Sequence, residues 1–93
     1  MLAQEKIPDL ISRIIMESKK IDFYELYLLL ETFSILEMLE LYDKKFGKNS
    51  HFHILKSLAY FDDAENDEEP ILIKKADWST VKNTITEAVK SLV

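Results

Sequence analysis

A single glycine and two prolines interrupt the 93 residues, and this shortage of turn-forming residues is the strongest constraint on the fold. A β-sandwich or β-barrel needs many tight turns, in which glycine and proline are favoured. A glycine-rich phosphate-binding loop needs several glycines, so the sequence excludes one. Hydrophobic residues make up 47% of the chain, which is enough for a folded core. The composition therefore favours helices packed around one core.

Apolar side chains recur at helical spacing in five segments, which predict the following helices. The predicted helices cover about residues 8–18, 23–31, 35–46, 51–61 and 78–92. A chain of this length fits one domain of ordinary size. We therefore expect an all-α fold: a compact bundle of about five helices, forming a single domain over residues 1–93, with an acidic loop before the last helix.

Residues that commonly begin or end helices lie at these boundaries. They are Pro8 in the first turn of helix one, Asp22 as N-cap of helix two, Ser34 and Glu37 as a capping box for helix three, Gly47 after it, Asn49 or Ser50 before helix four, and Asp77 before helix five. The same spacing places several large side chains on buried faces, among them Ile15, Phe46, Phe52 and Leu92. Local sequence thus indicates where each helix starts and which side it buries.

Helix two is apolar on nearly every side. Phe23, Leu26, Tyr27 and Leu30 follow the i, i+3, i+4, i+7 pattern, and Leu28 adds apolar surface elsewhere. Such a helix is usually central in a fold or half-covered by a partner. We therefore expect a protein partner or a homo-oligomer that uses the apolar surface of helix two.

The segment between helices four and five is rich in carboxylates. It contains Asp62, Asp63, Glu65, Asp67, Glu68 and Glu69, and it ends at Pro70. A calcium-binding EF-hand loop needs a central glycine, which is missing. The stretch is typical of an exposed acidic loop. The short apolar run at 71–73 that follows it predicts an extended segment.

Several classes of site are disfavoured by residue content. The chain has no cysteine, which excludes disulfides, thiolate zinc sites and cysteine nucleophiles. His51 and His53 are two residues apart, so on a helix they point in different directions and do not share a metal. No Ser/His/Asp arrangement is marked by the sequence. We predict no cofactor, no metal and no catalytic activity for the chain alone.

The net charge is −5, which disfavours binding to phosphate backbones, so no direct nucleic-acid partner is expected. No apolar run approaches the length of a membrane span. Leu2 and Ala3 are followed at once by polar and charged residues, unlike a secretory signal peptide. These observations predict a cytoplasmic protein without a membrane segment.

Four runs resemble abortive-infection nucleotidyltransferases of the AbiEii/AbiGii toxin type. Residues 20–29 (KIDFYELYLL) are similar to that family's Lys-Arg-Asp-Phe-x-Asp-Leu-Tyr-x-Leu segment. Lys6, Ile7, Pro8 and Arg13 resemble its Lys-Ile-x-Ala-(x)3-Arg stretch. Residues 53–70 (HILKSLAYFDDAENDEEP) and 77–85 (DWSTVKNTI) are similar to the tail of many shorter members. The resemblance covers nearly the whole chain but only the helical C-terminal half of the family.

The resemblance implies both a set of site residues and a biological setting for the protein. By position, it assigns a binding role to Lys6, Arg13, Lys20, Asp22 and Glu25. The family's catalytic half, with its Gly-Ser turn and magnesium-binding Asp-x-Asp pair, has no counterpart here, and the arginine before the aspartate is Ile21. The implied function is a non-catalytic interaction module, a stand-alone remnant in a toxin–antitoxin or phage-defence setting.

Two alternatives stay open. The chain could be one half of a split nucleotidyltransferase, in which Lys6 and Asp22 complete the active site of a separate catalytic chain. It could instead be an acidic binder that neutralises a toxin through the loop at 62–69.

Overall fold

The computed structural model describes residues 3–48, 50–70 and 76–92, and throughout this part of the chain the regular structure is helical. The helices are α1 (Ala3–Glu17), α2 (Lys20–Leu29), α3 (Ile35–Phe46), α4 (His51–Leu58) and α5 (Trp78–Lys90). A 3₁₀ turn at Asp62–Ala64 begins the acidic loop. The predicted all-α bundle of five helices is therefore confirmed. None of the helices in the described ranges combines the length and hydrophobicity that crossing a membrane requires.

Helix α1 is the centre of the bundle. It packs against α2, α3 and α4, while α5 closes the other side of the core against α2 and α4. Four side chains at helical spacing on α1, Ile7, Leu10, Ile11 and Ile14, are fully buried. Burying four such side chains stabilises the fold by about 1.5–3 kcal/mol each. Ile15, expected on the same stripe, is 37% exposed.

An aromatic cluster joins α2 to the start of α5. Phe23 meets Phe61 edge to face, with ring centroids 5.1 Å apart. Phe61 in turn meets Trp78 edge to face at 5.7 Å. The ring of Tyr24 stacks on Trp78 at 5.8 Å with an interplanar angle of 14°. Such pairs contribute beyond the area that they bury, and they hold α5 against α2.

Three predicted helix ends are confirmed. Ser34 Oγ accepts a hydrogen bond from the Glu37 N–H at 3.1 Å, and Glu37 Oε1 accepts one from the Ser34 N–H at 2.9 Å, which completes the capping box. Gly47 ends α3 with a φ of +87°, a conformation that favours glycine. Asp77 Oδ1 accepts a hydrogen bond from the Thr80 N–H at 2.7 Å. In each case the partners are only a few residues apart.

Two predicted helix starts are wrong. Pro8 lies inside α1, which begins at Ala3, so the proline removes one hydrogen bond instead of occupying the first turn. Asp22 lies in the first turn of α2, whose N-cap is Lys19. The turn before it depends on Ser18, which has a φ of +52° and bonds back to the Ile14 carbonyl through both its N–H and its hydroxyl. This tight corner starts α2 earlier than the sequence predicts.

Several side chains expected in the core are instead exposed. Phe46 is 46% exposed, Phe52 63% and Leu92 39%. Helix α4 ends at Leu58, so Phe61 lies beyond it. The predicted extended segment at 71–73, and Asn49 as a candidate cap, lie outside the described residues.

The capping box yields a stability prediction with an internal control. Ser34 and Ser50 are both N-cap residues, but only the Ser34 side chain makes a capping hydrogen bond. We expect Ser34→Ala to lower the free energy of unfolding by about 1 kcal/mol, and Ser50→Ala to lower it by clearly less. Urea denaturation followed by circular dichroism measures both. Equal losses in the two variants would contradict the assigned cap.

Candidate functional site

The five residues that the resemblance assigns to a binding role lie on two helices: Lys6 and Arg13 on α1, and Lys20, Asp22 and Glu25 on different faces of α2. Asp22 and Glu25 face α1, where both contact Arg13. Lys20 faces the acidic loop. Lys6 is exposed near the start of α1. The structure therefore brings together three of the five residues and directs Lys20 elsewhere.

The α1–α2 cluster consists of Arg13, Asp22 and Glu25. Arg13 Nε lies 3.5 Å from Asp22 Oδ1, and Arg13 Nη2 lies 3.3 Å from Glu25 Oε2. The Asp22 side chain is only 10% exposed, whereas those of Arg13 and Glu25 are about half exposed. Lys6, seven residues before Arg13, shares its helix face about 10 Å away along the axis. Chemically this is one guanidinium shared between two carboxylates at the edge of the bundle.

Lys20 is the most deeply buried charged residue in the described parts of the chain, at 4% exposure. Its ammonium donates to the Glu65 backbone carbonyl and to Glu69 Oε1, both at 3.3 Å. It also lies 5.0 Å from the ring centre of Trp78, within cation–π range. The Lys20 backbone N–H donates to Asp67 Oδ2 at 3.0 Å. The capping role expected of Asp22 is therefore filled by the Asp67 carboxylate, 47 positions after Lys20 in the chain.

The acidic loop, residues 62–69, makes further bonds to α2 and α5. Glu69 Oε2 accepts a hydrogen bond from the Tyr24 hydroxyl. Glu65 accepts from Trp78 Nε1 and from Lys82 Nζ, each at 2.8 Å. The loop therefore spans the ends of two helices and covers the aromatic cluster.

These bonds shift the pKa values of Glu65, Glu69 and Tyr24. The hydrogen bond from Lys82, followed by that from Trp78, lowers the pKa of the Glu65 carboxyl. The hydrogen bond from Tyr24, assisted by Lys20, lowers the pKa of Glu69. Burial and the adjacent Glu69 carboxylate raise the pKa of the Tyr24 phenol. The loop is therefore held most firmly when its carboxylates are charged and the phenol is neutral.

The loop is exposed, as predicted, but half of its acidic side chains already bond to other parts of the fold. Glu65, Asp67 and Glu69 bond to α2 and α5. Asp62, Asp63 and Glu68 have no bonded partner among the residues that the structure describes. The negative charge that the loop offers to a basic partner is correspondingly smaller than its composition suggests.

The two histidines do not come together. His51 Nε2 lies 2.7 Å from Asp43 Oδ2, which links the start of α4 to the end of α3. His53 is exposed, and its ring centroid lies 5.9 Å from that of Phe52. Within the described ranges, no three histidine, cysteine, aspartate or glutamate side chains lie close enough to hold a metal ion together.

An apolar patch that the sequence does not predict lies across α1, α4 and α5. It consists of an apolar hollow, after which the patch is named, and an adjoining hollow of mixed polar and apolar lining; the two share Lys56 and Tyr60. The first, of about 320 Å³, is lined by Phe52, Leu55, Lys56, Ala59, Tyr60 and Val89. The second, of about 330 Å³, is lined by Ile15, Ser18, His53, Lys56, Ser57, Tyr60 and Asp63. Phe52 and Tyr60, at 63% and 48% exposure, are the most exposed aromatic side chains of this patch.

Helix α2 offers less free apolar surface than its composition suggests. Tyr27, Leu29 and Leu30 are half-buried and pack against the core. Ile21 is the large apolar residue of α2 that stays exposed, at 48%. The helix is apolar on most sides because α1, α5 and the acidic loop all contact it. The largest exposed aromatic surface lies on α4 instead.

The lowered pKa values predict a pH dependence of stability. A carboxyl whose folded-state pKa lies below its ordinary value of 4.5 stabilises the fold above that value, and this contribution is lost as the pH falls through the folded-state pKa. We therefore expect the free energy of unfolding to fall as the pH drops below about 5. Glu69→Gln should lower stability at neutral pH and reduce this acid-dependent loss. Urea denaturation across the pH range measures both effects.

Glu68→Gln is the matched control, because Glu68 has no bonded partner among the described residues. The Glu68 variant should follow the wild-type pH profile. If the Glu69 and Glu68 variants have the same profile, the loop contacts do not stabilise the fold.

Comparison with known proteins returned no match: no protein-family model, no curated protein and no solved structure matched this chain. The resemblance to abortive-infection nucleotidyltransferases therefore rests on the sequence runs alone.

Proposed function

We propose that this chain is a non-catalytic protein-interaction module that docks through the apolar patch on α1, α4 and α5. The observation that carries the proposal is the exposure of Phe52 beside a hollow lined by Leu55, Ala59 and Val89. Single exposed apolar residues are common, but an exposed aromatic next to an apolar hollow is typical of an interaction site. The proposal moves the docking surface from α2 to α4.

The proposed module is a stand-alone relative of the helical half of AbiEii/AbiGii-type nucleotidyltransferases, acting in a toxin–antitoxin or phage-defence setting. Support comes from the resemblance of residues 20–29 and of the tail at 53–70 and 77–85. A bundle with its own core is also compatible with an independent helical unit. Both the family relation and the setting remain proposals.

A split nucleotidyltransferase is the second candidate, and the α1–α2 cluster is the observation that favours it. Arg13, Asp22 and Glu25 lie together at one seam, and Lys6 shares the face of Arg13. In this alternative the seam would lie against a separate catalytic chain that carries the Gly-Ser turn and the Asp-x-Asp pair. Lys6 and Asp22 would then help to position nucleotide phosphates in that chain's active site.

The acidic-binder alternative has less support. Three carboxylates of the loop bond to α2 and α5, so a basic partner would have to compete with contacts inside the fold. Asp62, Asp63 and Glu68 are the loop charges with no bonded partner among the described residues. These three scattered charges provide weak, salt-sensitive attraction.

The docking proposal predicts site-specific crosslinking in the native cell. A photoreactive phenylalanine analogue in place of Phe52 should crosslink to a partner protein, because that side chain lies at the proposed interface. The same analogue in place of Leu36 is the matched control, since Leu36 is 48% exposed but lies on α3. Gel electrophoresis and mass spectrometry identify the products. Absence of a product at position 52, or equal products at both positions, would contradict the proposed surface.

The split-enzyme candidate has its own test. If a catalytic chain with Gly-Ser and Asp-x-Asp motifs co-purifies with this protein, Lys6→Ala should reduce nucleotide transfer by the complex without reducing the amount of complex. Lys48→Ala is a suitable control, because Lys48 is also an exposed lysine but is not part of the α1–α2 seam. Unchanged transfer by the Lys6 variant would remove this candidate.

A further inference from the structure

The charges beside the apolar patch form a self-complementary pair. Lys56 lines both hollows, and Asp63 lines the second one. Neither forms an ion pair with any residue that the structure describes; Lys56 only approaches the Phe52 ring, at 6.0 Å. One unpaired cation and one unpaired anion thus flank the same apolar surface.

We propose that the partner of the apolar patch is a second copy of this chain, in a dimer with two-fold symmetry. This inference rests on the proposed function, because it assigns the occupant of the same surface. In a two-fold interface, a contact from residue i to residue j is repeated from j to i. Lys56 of each copy therefore faces Asp63 of the other, and each interface contains two such pairs.

In the proposed dimer, the exposed aromatic side chain of one copy also meets the apolar hollow of the other. Phe52 projects from α4, with 63% of its surface exposed. The hollow beside it, about 320 Å³, is lined by Leu55, Ala59 and Val89. Phe52 of one copy enters this hollow of the other, and the operation is reciprocal. Each copy thus supplies one aromatic side chain and one apolar hollow. Aromatic residues that fill pockets of the partner contribute most of the binding energy at many interfaces.

The charge balance of the chain favours a copy of itself over a strongly charged partner at this surface. The whole molecule carries a net charge of −5, but the patch is flanked by one lysine and one aspartate. Two copies therefore meet at a locally neutral surface, without placing like charges opposite each other. A basic or acidic partner would leave one of these two groups facing a like charge.

Sedimentation equilibrium of the full chain tests this dimer. The average mass should rise from the monomer value of 10.9 kDa toward twice that value as the concentration increases. Lys56→Glu and Asp63→Lys should each weaken association by about tenfold, because two rim pairs change from attraction to repulsion. Phe52→Ala should weaken it at least as much. Circular dichroism establishes that each variant is folded.

The decisive measurement mixes the two charge variants. In a mixed dimer, the glutamate introduced by Lys56→Glu faces the lysine introduced by Asp63→Lys, and the native Asp63 faces the native Lys56. The mixture should therefore associate about as well as the wild type, although each variant alone does not. Lys48→Glu changes the net charge as Lys56→Glu does, but on an exposed lysine away from the patch. This control variant should leave association unchanged.

A monomer at every concentration would overturn the dimer, and so would association that the Lys56, Asp63 and Phe52 variants leave intact. These results are distinguishable from failure of the proposed function. A chain that is monomeric but crosslinks through position 52 to a different protein retains the docking surface with another occupant. A chain that does neither loses both proposals.

Discussion

The buried ammonium of Lys20 is the constraint on which the arrangement of this bundle depends. An unpaired charge inside a protein costs several kcal/mol, and it is tolerated only with well-placed partners. Helix α2 supplies no such partner, so the carbonyl of Glu65 and the carboxylate of Glu69, 45 and 49 positions later in the chain, accept its hydrogen bonds. The acidic loop therefore closes over α2. The same loop bonds to Trp78 and Lys82 on α5, and Trp78 stacks on Tyr24 of α2, so the loop connects the two helices.

The features that could be predicted from the sequence are those whose causes are local. Ser34 and Glu37 form a capping box within four residues, and Asp77 caps α5 through an N–H three residues away. The start of α2 could not be predicted in this way, because Asp67, a residue 47 positions later, accepts its first N–H. Asp22 is in sequence a good N-cap, but this long-range contact and the corner at Ser18 take over that role.

Phe52 and Phe46, which the helical spacing predicts to be buried, are exposed for two different physical reasons. On α4 the buried residues are Ile54, Leu55 and Leu58, and Phe52 lies about 110° from the middle of that face at 100° per residue. Its spacing from Leu55 resembles a core stripe, but the neighbouring elements cover a different arc. Phe46 is in phase with the buried face of α3 and is exposed because it lies at the helix end, beyond the core.

The resemblance selects the candidate site residues by their position along the chain. The geometry of α2 then places them on different faces of the helix. Lys20 and Asp22 are two residues apart on α2, so their side chains project about 200° apart. Asp22 and Glu25, three apart, share a face and meet Arg13. A sequence run can indicate that these residues belong together, but the helix directs Lys20 to the acidic loop and the other two to α1.

The internal pairing of charge decides which surface is left for a partner. The loop carboxylates that approach α2 and α5 are satisfied by Lys20, Lys82 and the Trp78 ring nitrogen, so a partner that bound them would have to replace contacts already made. The apolar patch requires no such exchange, since Phe52 gains contacts only when something covers it. The proposed docking at the patch would therefore leave the loop contacts, and with them the position of α5, unchanged.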